Sequence, residues 1–239
     1  MDKCICCDIG NKNYKIGIFL RGKIKKTYKI PRNQGIKKII ELKNKLNNPP
    51  SFFISVVPEE KEKLEKKENV YFLHKKQFKE IKGTYPGIGI DRILGMYSAI
   101  KFYNKDAIVI DYGTAITIDV IAKNGKFLGG IIIPSFNIML HSLWIKTALI
   151  KNISFSKKIP FLGKSTSQCI TTGIKEIVVL GIKTKVEHIY KKFGKNFSII
   201  LTGEVPKEIL SIFPDSVYNE NLILKGIYEK ARNLYNKIP

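Results

Sequence analysis

No uninterrupted apolar run of about 18 residues occurs in the 239-residue chain, so no membrane-spanning helix is expected. The first 20 residues carry Asp8 and Lys12 where a secretion signal needs an apolar centre; no signal is read there, and a cytoplasmic location is expected. Cysteine is scarce. Cys4, Cys6 and Cys7 share one segment, and Cys169 is remote. The Cys4-x-Cys6 spacing lacks the two-residue gap of a zinc knuckle and has no histidine nearby, so these thiols read as small packing groups in a reducing compartment. His74, His141 and His188 are too scattered to form a ligand set. Acidic residues number 20 against 42 basic ones, a formal net charge of +22. Yet only Arg21, Arg32, Arg92 and Arg232 are arginine, the better reader of bases and phosphates. The lysines are also spread along the chain. Nucleic acid is therefore not the expected partner; a solvated, lysine-rich surface that draws in anionic small molecules is. At 44% hydrophobic the chain is globular, long enough for one large domain or two ordinary ones.

What is present is a pattern used twice. Lys3 to Cys7 is apolar and ends at Asp8, with Gly10-Asn11 as a turn. Tyr14 to Leu20 follows, then Arg21-Gly22-Lys23, then Ile24 to Ile30. Farther on, Ala107 to Ile110 is apolar and delivers Asp111 to a turn with Gly113 and Thr114. A strand through Ile121 follows, then Asn124-Gly125, then Phe127 to Ile133. Asn-Gly predicts a type I′ hairpin, because both central residues of that turn need positive φ. The interval from Asp8 to Gly22 equals that from Asp111 to Gly125, which points to internal duplication.

Each meander is followed by alternating helices and strands. In the first half the periodicity predicts a helix over Gly35–Leu46, a strand over Phe52–Val57, a charged helix over Glu59–Glu68 and a strand over Val70–Leu73. After a glycine-rich loop comes a helix from Asp91 to about Tyr103. In the second half helices are predicted over Asn137–Ile150 and Ser165–Lys192, then a strand over Phe197–Leu201. Pro206–Phe213 reads as a helix, Ser216–Tyr218 as a strand, and Glu220 to about Lys237 as a closing helix. The expected fold class is α/β: two ribonuclease-H-like domains, each a five-stranded mixed sheet flanked by helices, as in the actin-like kinases. The expected division is 1–105 and 106–239, with hinges near Asn104 to Asp106 and near the last helix, which is read as packing back on the first domain.

Asp8-Ile9-Gly10-Asn11 reads as a first phosphate loop. Glycine lets backbone N–H groups approach phosphate oxygens, a carboxylate there suits a hydrated Mg²⁺, and Lys15 can reach a phosphate. Asp111 to Thr117 reads as a second loop, with Thr114 offering its hydroxyl and N–H. Asp91 stands either as a helix N-cap or as a general base, with Arg92 as a holder of a substrate carboxylate or phosphate. Thr202-Gly203 ends a strand where a base and ribose would rest, and Gly163-x-x-Thr166 precedes a helix with free N–H groups.

The segments DIGN at 8, GIDR at 89, IDYGTAITID at 110, GGIIIP at 129, HSLWIKTALI at 141, GKST at 163 and TGE at 202 together resemble the type III pantothenate kinases, in that family's order and over nearly the whole chain. The resemblance implies ATP-dependent phosphorylation of the pantothenate hydroxyl, the first step towards coenzyme A. It also implies a homodimer, Mg²⁺, and a monovalent cation, K⁺ or NH₄⁺. By position, it implies an ATP loop of Asp8, Ile9, Gly10, Asn11, Lys12, Asn13, Tyr14 and Lys15, with Thr114 and Gly203 as further nucleotide contacts. Asp91 takes the place of the proton acceptor. Tyr85, Gly89, Ile90, Arg92 and Thr166 fall at substrate positions, Thr166 reaching across the dimer. Asp111 matches the monovalent-cation ligand, and Asp8 is the Mg²⁺ candidate. The chain departs from the family at Lys12, where Thr or Ser is usual, at Glu204 and Ser135, each in place of a glycine, and at Tyr85, which directly precedes Pro86. Lys12 and Glu204 predict weak ATP affinity. Two other readings remain at this point: another actin-like small-molecule kinase, or a basic nucleotide- or nucleic-acid-binding homologue of reduced activity.

Overall fold

The first sheet grows from a two-residue turn at Arg21-Gly22, where both residues have positive φ (47° and 80°), the type I′ geometry that suits a twisted hairpin. That turn joins strand β2 (Asn13–Leu20) to β3 (Lys23–Pro31), and β1 (Lys3–Ile9) pairs antiparallel with β2. Helix α1 (Arg32–Lys45) carries the chain to β4 (Ser51–Ser55), which lies parallel to β1. Helix α2 (Pro58–Glu65) then leads to β5 (Val70–Phe72). The sheet order is β3-β2-β1-β4-β5. This computed structural model describes residues 2–150, 153–156, 159–194 and 196–235.

The second half repeats the plan. Helix α3 (Ile90–Tyr103) ends at Asn104 in the left-handed conformation and delivers the chain to β6 (Ala107–Tyr112), β7 (Ala115–Ile121) and β8 (Phe127–Pro134). Helices α4 (Phe136–Lys146) and α5 (Thr166–Phe193) precede β9 (Ser198–Gly203). Then come α6 (Lys207–Ile212), β10 (Val217–Tyr218) and α7 (Leu222–Tyr235). The order β8-β7-β6-β9-β10 matches the first sheet strand for strand. The actin-like, doubly built α/β architecture expected from the sequence is what the chain adopts.

Two differences have physical causes. The Asn124-Gly125 loop is not type I′: only Gly125 has positive φ (85°), the Asn124 side chain accepts from the Lys126 N–H, and the β7–β8 register shifts between Val120 and Ile121, ahead of the loop. The glycine is needed for a close approach instead. A Cβ there would lie 1.8 Å from the Glu80 carbonyl oxygen, and Lys82 N–H donates to the Gly125 carbonyl, so this loop docks one half onto the other. Helix α4 stops at Lys146 rather than Ile150, because Thr147 is already extended. The expected continuation of α7 to Lys237 lies outside the described residues.

Alternation along the central strands sets which face each residue joins. Cys4 and Cys6 of β1, with Ala107 and Val109 of β6 and Ile200 of β9, face a shared core built on α3 and α7. Ile5, Cys7 and Ile9 face an outer core against α1 and α2, and Ile108, Ile110 and Leu201 face one against α5. Helix α7, last in sequence, packs against the first sheet as well, with Tyr228 stacked on Phe19 at 4.6 Å between centroids. Asp8 and Asp111 therefore come off the same inner faces, one from each sheet, at the strand ends beside the start of α3.

Candidate active site

Each acid turn is closed by a glycine N–H, the second turn one residue tighter than the first. Gly10 N–H donates to the Asn13 carbonyl at 3.0 Å, and Gly113 N–H donates to the Ala115 carbonyl at 3.0 Å. Each closes the hairpin that leads away from its aspartate. They face each other across a crevice of about 430 Å³. Its wall carries Asp8, Gly10, Asn11, Lys12, Asn13 and Lys15 from the first half, Asp91 from α3, and Asp111, Gly113, Thr114, Thr117 and Glu204 from the second. Carboxylates 8 and 111 thus share one opening.

Other residues singled out by the sequence lie elsewhere. The side chains of Ile9 and Tyr14 are fully buried in the first outer core, where the Tyr14 hydroxyl donates to Glu60; only their backbone belongs to the loop. Gly203 lines a smaller adjoining cavity of about 70 Å³, together with Lys15, Lys29 and Glu204. Gly89, Ile90, Arg92, Tyr85 and Thr166 are outside the wall of the crevice, and Thr166 is exposed at the start of α5. Asp91 is not the N-cap: that place is taken by Gly89, and Asp91 is the second residue of the helix, accepting from the Arg92 N–H at 2.9 Å.

The carboxylates on the crevice feel one another's charge. Asp8 is pushed up to about 7, first by burial and then by Asp91 and Asp111, against the pull of Lys15. Asp111 is pushed up to about 6 by burial and by Asp91 and Asp119, again opposed by Lys15. Both keep one face open to the crevice, so water tempers the effect. The ordinary carboxylate value is about 3.9. Between that value and 6 to 7 the folded chain binds more protons than the unfolded chain. Stability from these groups is therefore full below about pH 4 and is lost as pH rises through 6 to 7. Thermal melts of the ligand-free protein should show Tm falling over that window, and Asp8→Asn should flatten the fall; a wild-type Tm that rises from pH 5 to 7.5 would contradict it.

The sequence reading missed the partner of Arg92. Arg92 is buried, and its Nε donates to both oxygens of Asp119 at 3.2 and 3.0 Å while a terminal nitrogen bonds Oδ1 again. Its other terminal nitrogen donates to the Tyr85 hydroxyl, so Tyr85, Arg92 and Asp119 form one chain of contacts. Gly130 makes room for it: a Cβ there would lie 2.4 Å from Asp119 Oδ1 and 2.6 Å from the Arg92 guanidinium. Burial opposes the guanidinium's charge, but the bonds to Asp119 outweigh it and raise the pKa of Arg92. Asp119 closes the motif that begins at Asp111, and its place on the inner face follows from strand alternation. At the mouth of the crevice, Lys29 of β3 and Glu204 after β9 form an ion pair that joins the two halves.

A family model described as type III pantothenate kinase matches residues 4–192. The chain belongs to that family. Among its relatives, a type III pantothenate kinase of Thermosipho melanesiensis is 39% identical over 141 residues, 59% of this chain and 57% of that protein. One from Kosmotoga olearia is 28% identical over 96% of this chain and 97% of its own length. A Campylobacter jejuni crystal structure that carries a Baf family transcriptional activator description superposes with a TM-score of 0.68 at 25% identity, covering 97% of this chain and 99% of that one. MreB5 of Spiroplasma citri, solved with ADP, shares the fold alone: TM-score 0.53 at 10% identity, over 100% and 98% of the two chains. Among the described residues no helix is long and apolar enough to cross a membrane.

Proposed function

We propose that this chain transfers the γ-phosphoryl group of ATP to the hydroxyl of pantothenate, giving 4′-phosphopantothenate and ADP. The observation that carries the reading is the pairing of two acid turns and the carboxylate of Asp91 on one crevice, in a chain of this family. The N–H groups of the two turns and the amine of Lys15 cradle the phosphates. Thr114 faces the same space. Asp91 takes the proton as the substrate oxygen bonds to phosphorus and the bond from phosphorus to the ADP oxygen breaks. Arg92, held by Asp119 and Tyr85, orients the substrate carboxylate. Lys29 and Glu204 already pair at the mouth, so an entering nucleotide competes with Glu204 for Lys29, which supports the reading of weak ATP affinity.

The residues fit the two implied cations differently. Among the described residues no three acidic, histidine or cysteine side chains are gathered closely enough to cage a metal, which suits Mg²⁺ held through water by Asp8 and the phosphates. Asp111 lies in register with Thr117, giving carboxylate and hydroxyl oxygens of the kind a monovalent cation takes. When bound, both cations neutralise phosphate charge. A coupled assay with pantothenate, ATP, Mg²⁺ and K⁺ tests the function. Turnover with pantothenate and none with a panel of sugars is expected; the reverse selectivity sinks the reading.

A homodimer completes the proposal. Ile177 and Leu180 of α5 are 70% and 58% exposed, and Trp144 and Ile145 of α4, which packs on α5, are exposed as well, as is Ile132 of β8. Thr166 precedes Leu180 by two heptads on α5, so it shares their face, and a second copy seated there receives it. Sedimentation should report a dimer. Ile177→Asp with Leu180→Asp should yield folded monomers with at least tenfold lower activity; a fully active monomeric double variant would rule out a shared site.

A further inference from the structure

The two sheets are copies, so their differences at matched positions mark what one copy does that the other does not. Asp8 on β1 is flanked by Ile54 on parallel β4 and by Lys15 on antiparallel β2. Asp111, its counterpart on β6, is flanked by Thr202 on β9 and by Thr117 on β7. Where the first acid has an apolar neighbour and an ammonium group, the second has two hydroxyls. Val109 and Ile200, two residues earlier in the same paired strands, both face the inner core. By alternation, Asp111 and Thr202 share that face.

Thr202 is 1% exposed, and its hydroxyl oxygen has no hydrogen-bond partner among the described residues. Burying a hydroxyl unpaired costs free energy. The fold does not require one here, because the matched position in the first sheet holds Ile54, 0% exposed. Asp111 leans towards this strand end: the Cβ position of Gly203, next after Thr202, is 2.6 Å from Asp111 Oδ1. A half-buried carboxylate, an unpartnered hydroxyl in the adjacent strand and a second hydroxyl on the other side make an oxygen-donor set carrying one negative charge. That matches a cation of charge +1 and is poor for a divalent ion.

We propose that the Thr202 hydroxyl is a ligand of the monovalent cation held by Asp111, so that the second sheet binds an external cation where the first has the Lys15 amine. The proposal rests on the reading of Asp111 as the cation ligand.

Thermal melts of the full chain with a non-hydrolysable ATP analogue and Mg²⁺, titrated with KCl against choline chloride at constant ionic strength, test it. Wild type should gain Tm with K⁺ and saturate. Thr202→Val, which keeps the shape and removes the hydroxyl, should melt at or above wild type without K⁺ and need at least tenfold more K⁺ for the same gain. Thr202→Ser should respond as wild type. Asp111→Asn should lose the response. A wild type indifferent to K⁺, or an Asp111→Asn variant that responds normally, refutes the cation reading itself. If Asp111→Asn loses the response while Thr202→Val keeps it, the assignment of Thr202 alone is wrong. A Thr202→Val chain that melts well below wild type without K⁺, or fails to fold, gives the hydroxyl a structural role and also overturns the assignment.

Discussion

Asp91→Asn should lower kcat by about 10²- to 10⁴-fold, the range of a lost general base, and leave the melting temperature near that of wild type. The fold is spared because the asparagine side-chain oxygen can still accept the Arg92 N–H as Asp91 Oδ1 does. Asn cannot take the hydroxyl proton as the bond to phosphorus forms. The KM for ATP should change little, since the phosphates rest on the two turns. Initial rates over a range of ATP and pantothenate, with a melt of the same sample, decide it. A variant with more than a tenth of wild-type turnover would remove Asp91 from that role.

Asp119→Ala should have the largest effect on stability. It leaves the Arg92 guanidinium buried without its charge partner, and removing one member of a buried pair costs about 3–5 kcal/mol. In a chain of this size that is a fall in Tm of roughly 10 °C. The cost comes from the stranded charge rather than from the worth of the pair, so Arg92→Met with Asp119→Leu should recover most of the lost stability. Binding of the substrate carboxylate should not recover, because it needs Arg92. The expected signature is a near-normal Tm with a pantothenate KM raised at least tenfold. A double variant that regains both stability and KM would make the pair structural only.

Much of this was legible in the sequence because duplication is a long-range signal. Two acids and two glycines at equal spacing predict two matched meanders, and the likeness to the actin-like kinases implies the crevice between them. The I′ reading of Asn124-Gly125 failed because the turn's shape is set by the docking of the loop at Glu80, a tertiary contact that no local propensity encodes. Placing Asp91 as an N-cap failed by two positions, since Gly89 has the extended backbone that a cap needs. Asp119 went unassigned because its partner lies 27 residues away on a helix. Alternation from Asp111 would have put it on the inner face, and a buried acid there calls for a cation. Thr202 was legible only as part of a nucleotide motif; that its hydroxyl is unpaired, and that Ile54 is its twin, needed the strand register.

The central claim is that a triphosphate lies between two copies of one acid turn. A crystal structure with a non-hydrolysable ATP analogue and Mg²⁺ tests it most directly. The account predicts phosphate oxygens within hydrogen-bond distance of backbone N–H groups in both Gly10–Asn13 and Gly113–Thr114, with Asp8 and Asp111 on either side. An analogue bound to one half alone, with the other turn more than about 6 Å from any phosphate, would contradict it.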